Sequence, residues 1–277
     1  MKPAPHLMSL CAALTAFAAI SSNGWGDSRI PLAEGEVGTA AQRQAPPNPA
    51  FVEVVEDPAL PRVLIIGDSI SVGYLLPARE MLKGKANVLR PAANCGSTKT
   101  ALGSYGLERW LGDKPWDVIH FNFGLHDLSF RFADGKDKND AGEYASPQNG
   151  AKPNVPEQEY GENLRKIVAR LKQTGARLIF ATTTPVPDSE AEKYVQGSEV
   201  PYNEIARQVM AEEGVSINDL HALAAARLAE LQIPRNVHFT NTGSQALAEQ
   251  VAHSIGNALS TPAEKDQPPA APAQEKM

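Results

Sequence analysis

The chain has 277 residues, a formal net charge of −6 and a hydrophobic fraction of 42%, which is ordinary for a globular protein. This length predicts one medium-sized domain with additional terminal segments. The sequence contains no basic cluster, which argues against a nucleic-acid partner because phosphate recognition needs concentrated positive charge.

The amino-terminal segment has the features of an export signal, which we expect to occupy residues 1–21. Lys2 gives a basic start, and 7–20 is almost entirely apolar but shorter than a membrane-spanning helix. Ala16-Phe17-Ala18 has the small-x-small pattern of a cleavage site. We therefore expect export to the periplasm or beyond the cell, without stable membrane insertion once the signal is removed. An uncleaved anchor or a buried helix is the alternative.

The composition changes at both ends of the predicted domain. Residues 22–60 and 261–277 are rich in Pro, Ala and charged side chains and lack a sustained apolar period. They are interpreted as a disordered or loosely attached leader and a disordered tail. The folded domain is expected at 61–260. Removal of the signal leaves one cysteine, Cys95, so no internal disulfide is expected.

Strands and helices alternate along this domain. Short apolar runs predict buried strands at 63–66, 86–89, 118–123, 178–182 and 215–218. Helical periodicity and length predict helices at 72–83, 101–111, 157–173, 201–213, 220–231 and 242–258. This alternation predicts an α/β protein with a parallel sheet covered by helices on both faces, and sites at the carboxyl ends of the strands.

The first candidate site follows the strongest predicted strand. Gly67-Asp68-Ser69-Ile70 places a serine hydroxyl at the start of a helix, where the helix dipole and free backbone N–H groups favour a developing negative charge. Asp and Ser are also common capping residues, so an ordinary helix cap is the alternative interpretation.

His238 is the candidate base for this serine. It lies in Asn236-Val237-His238-Phe239-Thr240, between the last predicted strand and the terminal helix. Histidine is the usual base near neutral pH, and a loop at this point could return it to the Ser69 end of the sheet. A structural or solvated histidine is the alternative.

Two more loops follow predicted strands. In Gly124-Leu125-His126-Asp127, the imidazole of His126 can donate to an oxyanion and Asp127 can fix the turn. In Asn94-Cys95-Gly96, the glycine allows a backbone N–H to approach a substrate. The alternative for the first loop is a polar turn without a catalytic role. Cys95 is interpreted as a small buried hydrophobe rather than a nucleophile.

These four segments, in this order, resemble the SGNH hydrolase superfamily, also called GDSL-like lipases or esterases. The resemblance covers about 63–258. Gly67-Asp68-Ser69-Ile70 resembles its first motif, Gly96 its second-motif glycine, Gly124-Leu125-His126-Asp127 its third motif, and Arg235-Asn236-Val237-His238 its last. The resemblance implies a three-layer α/β/α flavodoxin-like sandwich with a central parallel five-stranded sheet. It also implies hydrolysis of carboxylic esters through an acyl-serine intermediate.

The resemblance assigns roles to individual residues. Ser69 would attack the ester carbonyl, and His238 would take its proton and later return one to the leaving alcohol. The oxyanion hole would consist of the Ser69 and Gly96 N–H groups and the His126 side chain, with each donor contributing about 3–4 kcal/mol. Asp68 and Asp127 would support this arrangement.

Two positions depart from the family pattern. His126 stands where the family usually has Asn, and it can donate only in the correct tautomer. Arg235 stands where the family usually has the Asp that orients the catalytic histidine. Either a Ser69–His238 dyad works with a backbone carbonyl as orienter, or another acid substitutes, for which Asp219 is the candidate.

The substrate expectation comes from two polar segments, 129–160 and 188–200, that follow predicted strands. A polar border suits a hydrophilic ester better than a long acyl chain, so we predict a small ester or an acetylated glycan as substrate. A disordered insert is the alternative for the first segment. For the whole protein, the alternatives are a non-catalytic glycan-binding protein and an O-acyltransferase.

No metal or cofactor is predicted. The remaining histidines are scattered without ligand spacing, and no nucleotide-type glycine loop is present in the sequence. The sequence contains no feature that specifies an oligomeric state.

Overall fold

A computed structural model describes residues 48–188 and 193–261 of the chain. The expected signal at 1–21, the first part of the leader and the tail beyond residue 261 lie outside the described residues.

Five parallel strands form the central sheet, in the order β2-β1-β3-β6-β7. These strands are β1 Arg62–Ile66, β2 Asn87–Leu89, β3 Val118–Phe121, β6 Arg177–Ala181 and β7 Ser216–Asn218. Two short strands, β4 Phe130–Arg131 and β5 Lys152–Pro153, pair antiparallel in a separate ribbon. The order of the five parallel strands is that of flavodoxin-like folds, which confirms the expected central sheet.

Nine α-helices lie within the described residues. They are α1 Ser69–Met81, α2 Thr98–Leu102, α3 Leu107–Leu111, α4 Leu125–Leu128, α5 Glu157–Lys172, α6 Glu199–Glu212, α7 Leu220–Ala226, α8 Leu228–Leu231 and α9 Asn241–Ser260. Single 3₁₀ turns occupy Pro49–Phe51 and Pro147–Asn149.

Alternate side chains of each strand enter two separate cores, because successive residues of a strand point to opposite faces. On β1, Val63 and Ile65 join the core that contains α1 and α9 residues, and Leu64 and Ile66 join the core that contains α5 and α6 residues. All four side chains are almost fully buried. Helices therefore cover both faces of the sheet, and the predicted three-layer α/β/α architecture is confirmed.

Two predicted helices are interrupted. The helix expected at 101–111 is divided into α2 and α3 by a turn in which the Gly106 N–H donates to the Gly103 carbonyl at 2.9 Å. The helix expected at 220–231 is divided at Arg227, whose φ of −133° is not helical. Sequence periodicity did not reveal these breaks, because the apolar spacing continues across them.

The end of the expected leader, residues 48–60, contacts the domain. Ala50 is buried, and the Asn87 side chain donates to the Asp57 carbonyl at 2.8 Å. The Glu56 carboxylate pairs with Arg62 at the start of β1. Buried contacts and a paired charge therefore hold a segment that has no apolar period of its own.

The parallel sheet brings three chemically relevant loops together. The loops after β1, β2 and β3 leave the sheet at its carboxyl edge, where flavodoxin-like folds bind their ligands. None of the helices in the described part of the chain is both long and apolar enough to cross a bilayer.

Candidate active site

Ser69 and His238 meet at the carboxyl edge of the sheet. Ser69 is the first residue of α1, and His238 lies in the loop before α9. The Ser69 Oγ lies 2.9 Å from the His238 Nε2, although the two residues are 169 positions apart in the chain. Solvent reaches both side chains. This is the geometry that general-base activation of a serine hydroxyl requires.

Asp68 forms the turn that presents Ser69. Its carboxylate is buried and accepts a hydrogen bond from the Ile70 N–H at 2.9 Å, which caps α1. The Ser71 hydroxyl donates to the Asp68 carbonyl at 2.7 Å. Asp68 therefore supplies the helix cap, so the Ser69 hydroxyl can contact the histidine.

The second ring nitrogen of His238 contacts an amide. Its Nδ1 lies 2.7 Å from the Asn236 Oδ1. Arg235, at the position of the family's usual acid, donates from Nη1 to the Asp188 Oδ2 at 2.6 Å. Sequence reasoning did not consider Asn236, because the family pattern places the orienting acid one residue earlier.

Asp219, the candidate substitute acid, is engaged at another point of the sheet edge. Its carboxylate accepts hydrogen bonds from the Thr182 Oγ1 at 2.9 Å and the Arg207 Nη2 at 2.7 Å. It also accepts from the Ala222 N–H and caps α7. Asp219 therefore has structural partners and does not orient His238.

The surroundings of the His238 imidazole favour its neutral form. Its pKa is lowered from the ordinary value of 6.5, chiefly because the surrounding protein displaces water from the ring. The Asp68 carboxylate raises this pKa, and the Lys193 ammonium lowers it further. A neutral imidazole can accept the proton of a serine hydroxyl.

The Gly96 loop lies beside the nucleophile turn. The Cys95 N–H donates to the Gly67 carbonyl at 3.2 Å, and Gly96 has a left-handed φ of 62°. The Gly96 N–H, the predicted oxyanion donor, donates to the Asn94 Oδ1 at 3.0 Å. Asn94 is exposed, so a substrate oxygen can reach this N–H by displacing or sharing that contact.

Gly124 sets the path of the third loop. Its φ is 157°, and a Cβ at this position would lie 1.9 Å from the Thr183 Oγ1. Only glycine therefore allows the ends of β3 and β6 to approach this closely. The adjacent α4 carries His126, whose pKa is lowered by burial and then by the cations Arg131 and Lys193. A neutral His126 has one ring N–H to donate.

Residues 65–246 match the model of the GDSL-like Lipase/Acylhydrolase family. The chain belongs to this family. The ester-hydrolase class expected from the four motifs is thereby confirmed, and the individual residue roles stay predictions.

Solved structures of low sequence identity share the fold. An acetyl xylan esterase, AlAXEase, superposes with a TM-score of 0.54 at 16% identity, covering 70% of this chain and 99% of that one. Axe2, an acetylxylan esterase from Geobacillus stearothermophilus, gives 0.53 at 19% identity, covering 71% and 94%. The lipase/acylhydrolase from Enterococcus faecalis gives 0.53 at 17% identity, covering 71% and 96%. A search of curated proteins gives no match.

Asp127 of this GDSL-like hydrolase connects two of its active-site loops. The Asp127 Oδ1 accepts hydrogen bonds from the Thr98 N–H at 2.9 Å and the Thr98 Oγ1 at 2.5 Å. Thr98 begins α2, directly after the Gly96 loop. The carboxyl group that follows His126 therefore fixes the position of the loop that carries Gly96.

The long polar segment of the hydrolase is ordered and borders the site. The Asn154 Nδ2 donates to the His126 carbonyl at 2.9 Å, and the Val155 N–H donates to the Asp127 carbonyl at 2.9 Å. The Phe130 N–H donates to the Lys193 carbonyl at 2.8 Å. Among the described residues, no group of three or more His, Cys, Asp or Glu side chains is arranged to hold a metal ion.

Proposed function

We propose that this GDSL-like hydrolase removes acetyl groups from a carbohydrate through an acyl-serine intermediate on Ser69. The 2.9 Å contact between the Ser69 Oγ and the His238 Nε2 carries the proposal. Without it, the motifs would be compatible with an inactive relative.

In the acylation step, the His238 Nε2 takes the hydroxyl proton while the Ser69 Oγ attacks the ester carbonyl carbon. The carbonyl oxygen becomes an oxyanion, for which the expected donors are the Ser69 N–H, the Gly96 N–H and a His126 ring N–H. The Ser69 N–H belongs to the first turn of α1, whose N–H groups have no intrahelical acceptor. Collapse of the tetrahedral intermediate breaks the bond to the alcohol, which receives the proton from His238.

In the deacylation step, water takes the place of the alcohol. His238 removes a proton from the water, the resulting hydroxide attacks the acyl carbon, and acetate leaves as the proton returns to the Ser69 Oγ. Both steps use the same base and the same oxyanion donors.

The polar rim supports a hydrophilic substrate. Arg131 and Lys193 both pair with the Asp137 carboxylate, at 3.3 Å and 2.8 Å. The charges of Arg131 and Lys193 also act on His126, so this cluster lies near the catalytic groups. A long acyl chain would need an apolar groove, whereas sugar hydroxyls can bond to these side chains. Two of the similar structures are acetylxylan esterases.

A groove of about 570 Å³ beside β2 supports a chain-like substrate. It includes the exposed ring of Tyr105, which lies 4.2 Å below the Arg109 guanidinium. Arg90, which also lines the groove, donates from Nη2 to the Gly67 carbonyl at 3.3 Å and to the Ala93 carbonyl at 2.9 Å. One residue of the groove therefore contacts the backbone of the turn that carries the nucleophile, and the aromatic and cationic lining of the groove suits a carbohydrate.

Export completes the proposal. The predicted signal at 1–21 would deliver the enzyme to the periplasm or the outside of the cell, where polymeric carbohydrates are accessible. Cleavage of the signal is checked by mass spectrometry of the mature chain.

The test is acetate release by the purified protein and by Ser69→Ala, with Ser260→Ala as a surface control. We expect the unaltered protein to hydrolyse p-nitrophenyl acetate and acetylated xylan and to act only weakly on long-chain esters. Ser69→Ala should lose the activity on the two acetyl esters, and Ser260→Ala should keep it. A preference for long acyl chains contradicts the carbohydrate assignment. Glycan binding without hydrolysis supports the non-catalytic alternative, and transfer of acetyl to an added sugar supports an acyltransferase.

A further inference from the structure

One oxygen of the Asn236 side chain contacts His238 twice. It lies 2.9 Å from the backbone N of His238 and 2.7 Å from the ring Nδ1. The opposite ring nitrogen, Nε2, lies 2.9 Å from the Ser69 Oγ. These three distances together determine which nitrogen of the His238 ring carries the proton.

The backbone contact fixes the orientation of the amide. A backbone N–H can only donate, so the Asn236 atom next to it must be the amide oxygen rather than the NH₂ group. An amide oxygen can only accept, so the Nδ1 that contacts the same oxygen must carry the ring proton. In a neutral imidazole the other nitrogen is then unprotonated, and Nε2 faces Ser69 as a proton acceptor.

This tautomer is the one that catalysis by Ser69 needs. An amide in place of the acid in a Ser-His-Asp triad usually harms catalysis because the amide NH₂ selects the wrong tautomer, which costs about 10⁴-fold in kcat. Here the backbone N–H of His238 holds the oxygen, not the NH₂ group, toward the ring. The usual objection to asparagine at this place therefore does not apply.

The loop holds Asn236 in position through contacts on both sides. The Asn236 N–H donates to the Ile233 carbonyl at 3.1 Å, and the Ile233 N–H donates to the His238 carbonyl at 3.0 Å. The buried Gln232 amide donates to the Val237 carbonyl at 3.2 Å. Immediately before Asn236, Arg235 takes a left-handed φ of 57°. The backbone turn thus places the side chain of Asn236, rather than that of residue 235, beneath the ring.

We propose that Asn236 is the positioning residue of the catalytic histidine, and that its amide oxygen replaces the carboxylate usual in the family. Asn236 selects the tautomer and holds the ring plane, but it adds no negative charge next to the imidazolium that forms during catalysis. This inference rests on the proposed esterase function.

The activity test uses Asn236→Leu, which has a similar size and no acceptor, and Asn236→Asp, which restores a carboxylate. We expect Asn236→Leu to lower kcat for p-nitrophenyl acetate by about 10-fold or more, with little change in KM. In Asn236→Asp we expect retained activity, with the acid limb of the pH profile of kcat/KM moved upward by about 1–2 pH units, because an adjacent anion favours the imidazolium. Asn257→Leu, an exposed exchange on α9, is the control and should match the unaltered protein.

Because Asn236 is exposed, replacing it leaves the buried core intact, so both variants should fold. An unchanged kcat in Asn236→Leu, or an unmoved acid limb in Asn236→Asp, overturns the proposal.

A tautomer measurement separates this proposal from the function itself. In ¹H–¹⁵N spectra of the Ser69→Ala protein near neutral pH, we expect the His238 ring proton on Nδ1. In the double variant Ser69→Ala/Asn236→Leu, we expect a mixture of the two tautomers. If the Nδ1 tautomer is found while the protein with Ser69 intact shows no esterase activity, the effect of Asn236 on the His238 ring stands and the proposed function is rejected. A proton on Nε2 in the Ser69→Ala protein would reject the positioning role even in an active esterase.

Discussion

Asp127 is a fully buried carboxyl group with one partnered and one unpartnered oxygen. Its Oδ1 accepts two hydrogen bonds from Thr98, while its Oδ2 has no hydrogen-bond partner among the described residues. Burial raises the pKa of Asp127 from the ordinary value of 3.8 to about 7, and the Thr98 contacts only partly oppose this effect. The folded protein therefore holds a proton on Asp127 over a pH range in which the unfolded chain has lost it.

This difference makes folding stability depend on pH with a defined sign. Between about pH 4 and pH 7 the folded state binds one more proton than the unfolded state, so the free energy of unfolding falls as pH rises. One pKa unit corresponds to about 1.4 kcal/mol, and the difference between 3.8 and about 7 is therefore worth about 4 kcal/mol. The contribution is fully present below pH 4 and lost above pH 7.

The substitution Asp127→Asn removes this dependence, because an amide stays neutral while its oxygen can still accept from Thr98. At about pH 8 we expect the Asp127→Asn protein to be more stable than the unaltered chain by about 1–3 kcal/mol, since an unpartnered NH₂ at the Oδ2 position offsets part of the gain. At about pH 4.5 the two proteins should differ by less than about 1 kcal/mol.

The assay is urea unfolding at a series of pH values and constant salt. Asp127→Ala is the control, because it leaves the Thr98 N–H without an acceptor and should be less stable at acid pH by about 1–3 kcal/mol. If the stability of Asp127→Asn falls between pH 4 and pH 7 in parallel with that of the unaltered protein, Asp127 is not the group that holds the extra proton in the folded state.

Three further predictions concern the pH profile, the third loop and the groove. The lowered pKa of His238 should place the acid limb of kcat/KM below pH 6.5, and activity should be lost as pH falls; a limb above pH 6.5 would contradict the assignment of the base. Gly124→Ala should lower stability by more than about 2 kcal/mol in urea unfolding, because its Cβ would meet the Thr183 Oγ1 at 1.9 Å. Gly135→Ala has open space around the new Cβ and should lower the free energy of unfolding by less. Equal losses of stability in the two variants would exclude the contact with Thr183 as the cause. Tyr105→Ala should reduce kcat/KM on acetylated xylan about 2- to 10-fold without affecting p-nitrophenyl acetate, and a uniform change on both substrates would contradict a carbohydrate role for the groove.

The strands and the positions of the loops could be predicted from the sequence. Apolar runs such as 63–66 identify strands that are buried on both faces, because only such strands need no polar side. The alternation with helices then implies a parallel sheet, whose carboxyl edge gathers the loops that begin at Gly67 and Gly124. These inferences use local patterns, and local patterns are visible in a linear sequence.

The breaks within helices and the attachment of residues 48–60 could not be predicted in this way. Ala50 is buried by residues that lie far along the chain, and no periodicity reports such a contact. The division between α2 and α3 depends on a turn at Gly103–Gly106, whose flanking apolar residues keep a helical spacing.

The sequence by itself indicated the family and the layered α/β architecture and predicted a reactive serine and histidine, because each is encoded by a local pattern of residue types. The tertiary structure alone decided which group faces each ring nitrogen of His238. That choice depends on a left-handed backbone at Arg235 and on distances between side chains. Positions 235 and 236 carry a guanidinium and an amide, and only the folded chain shows which of these two side chains reaches the ring.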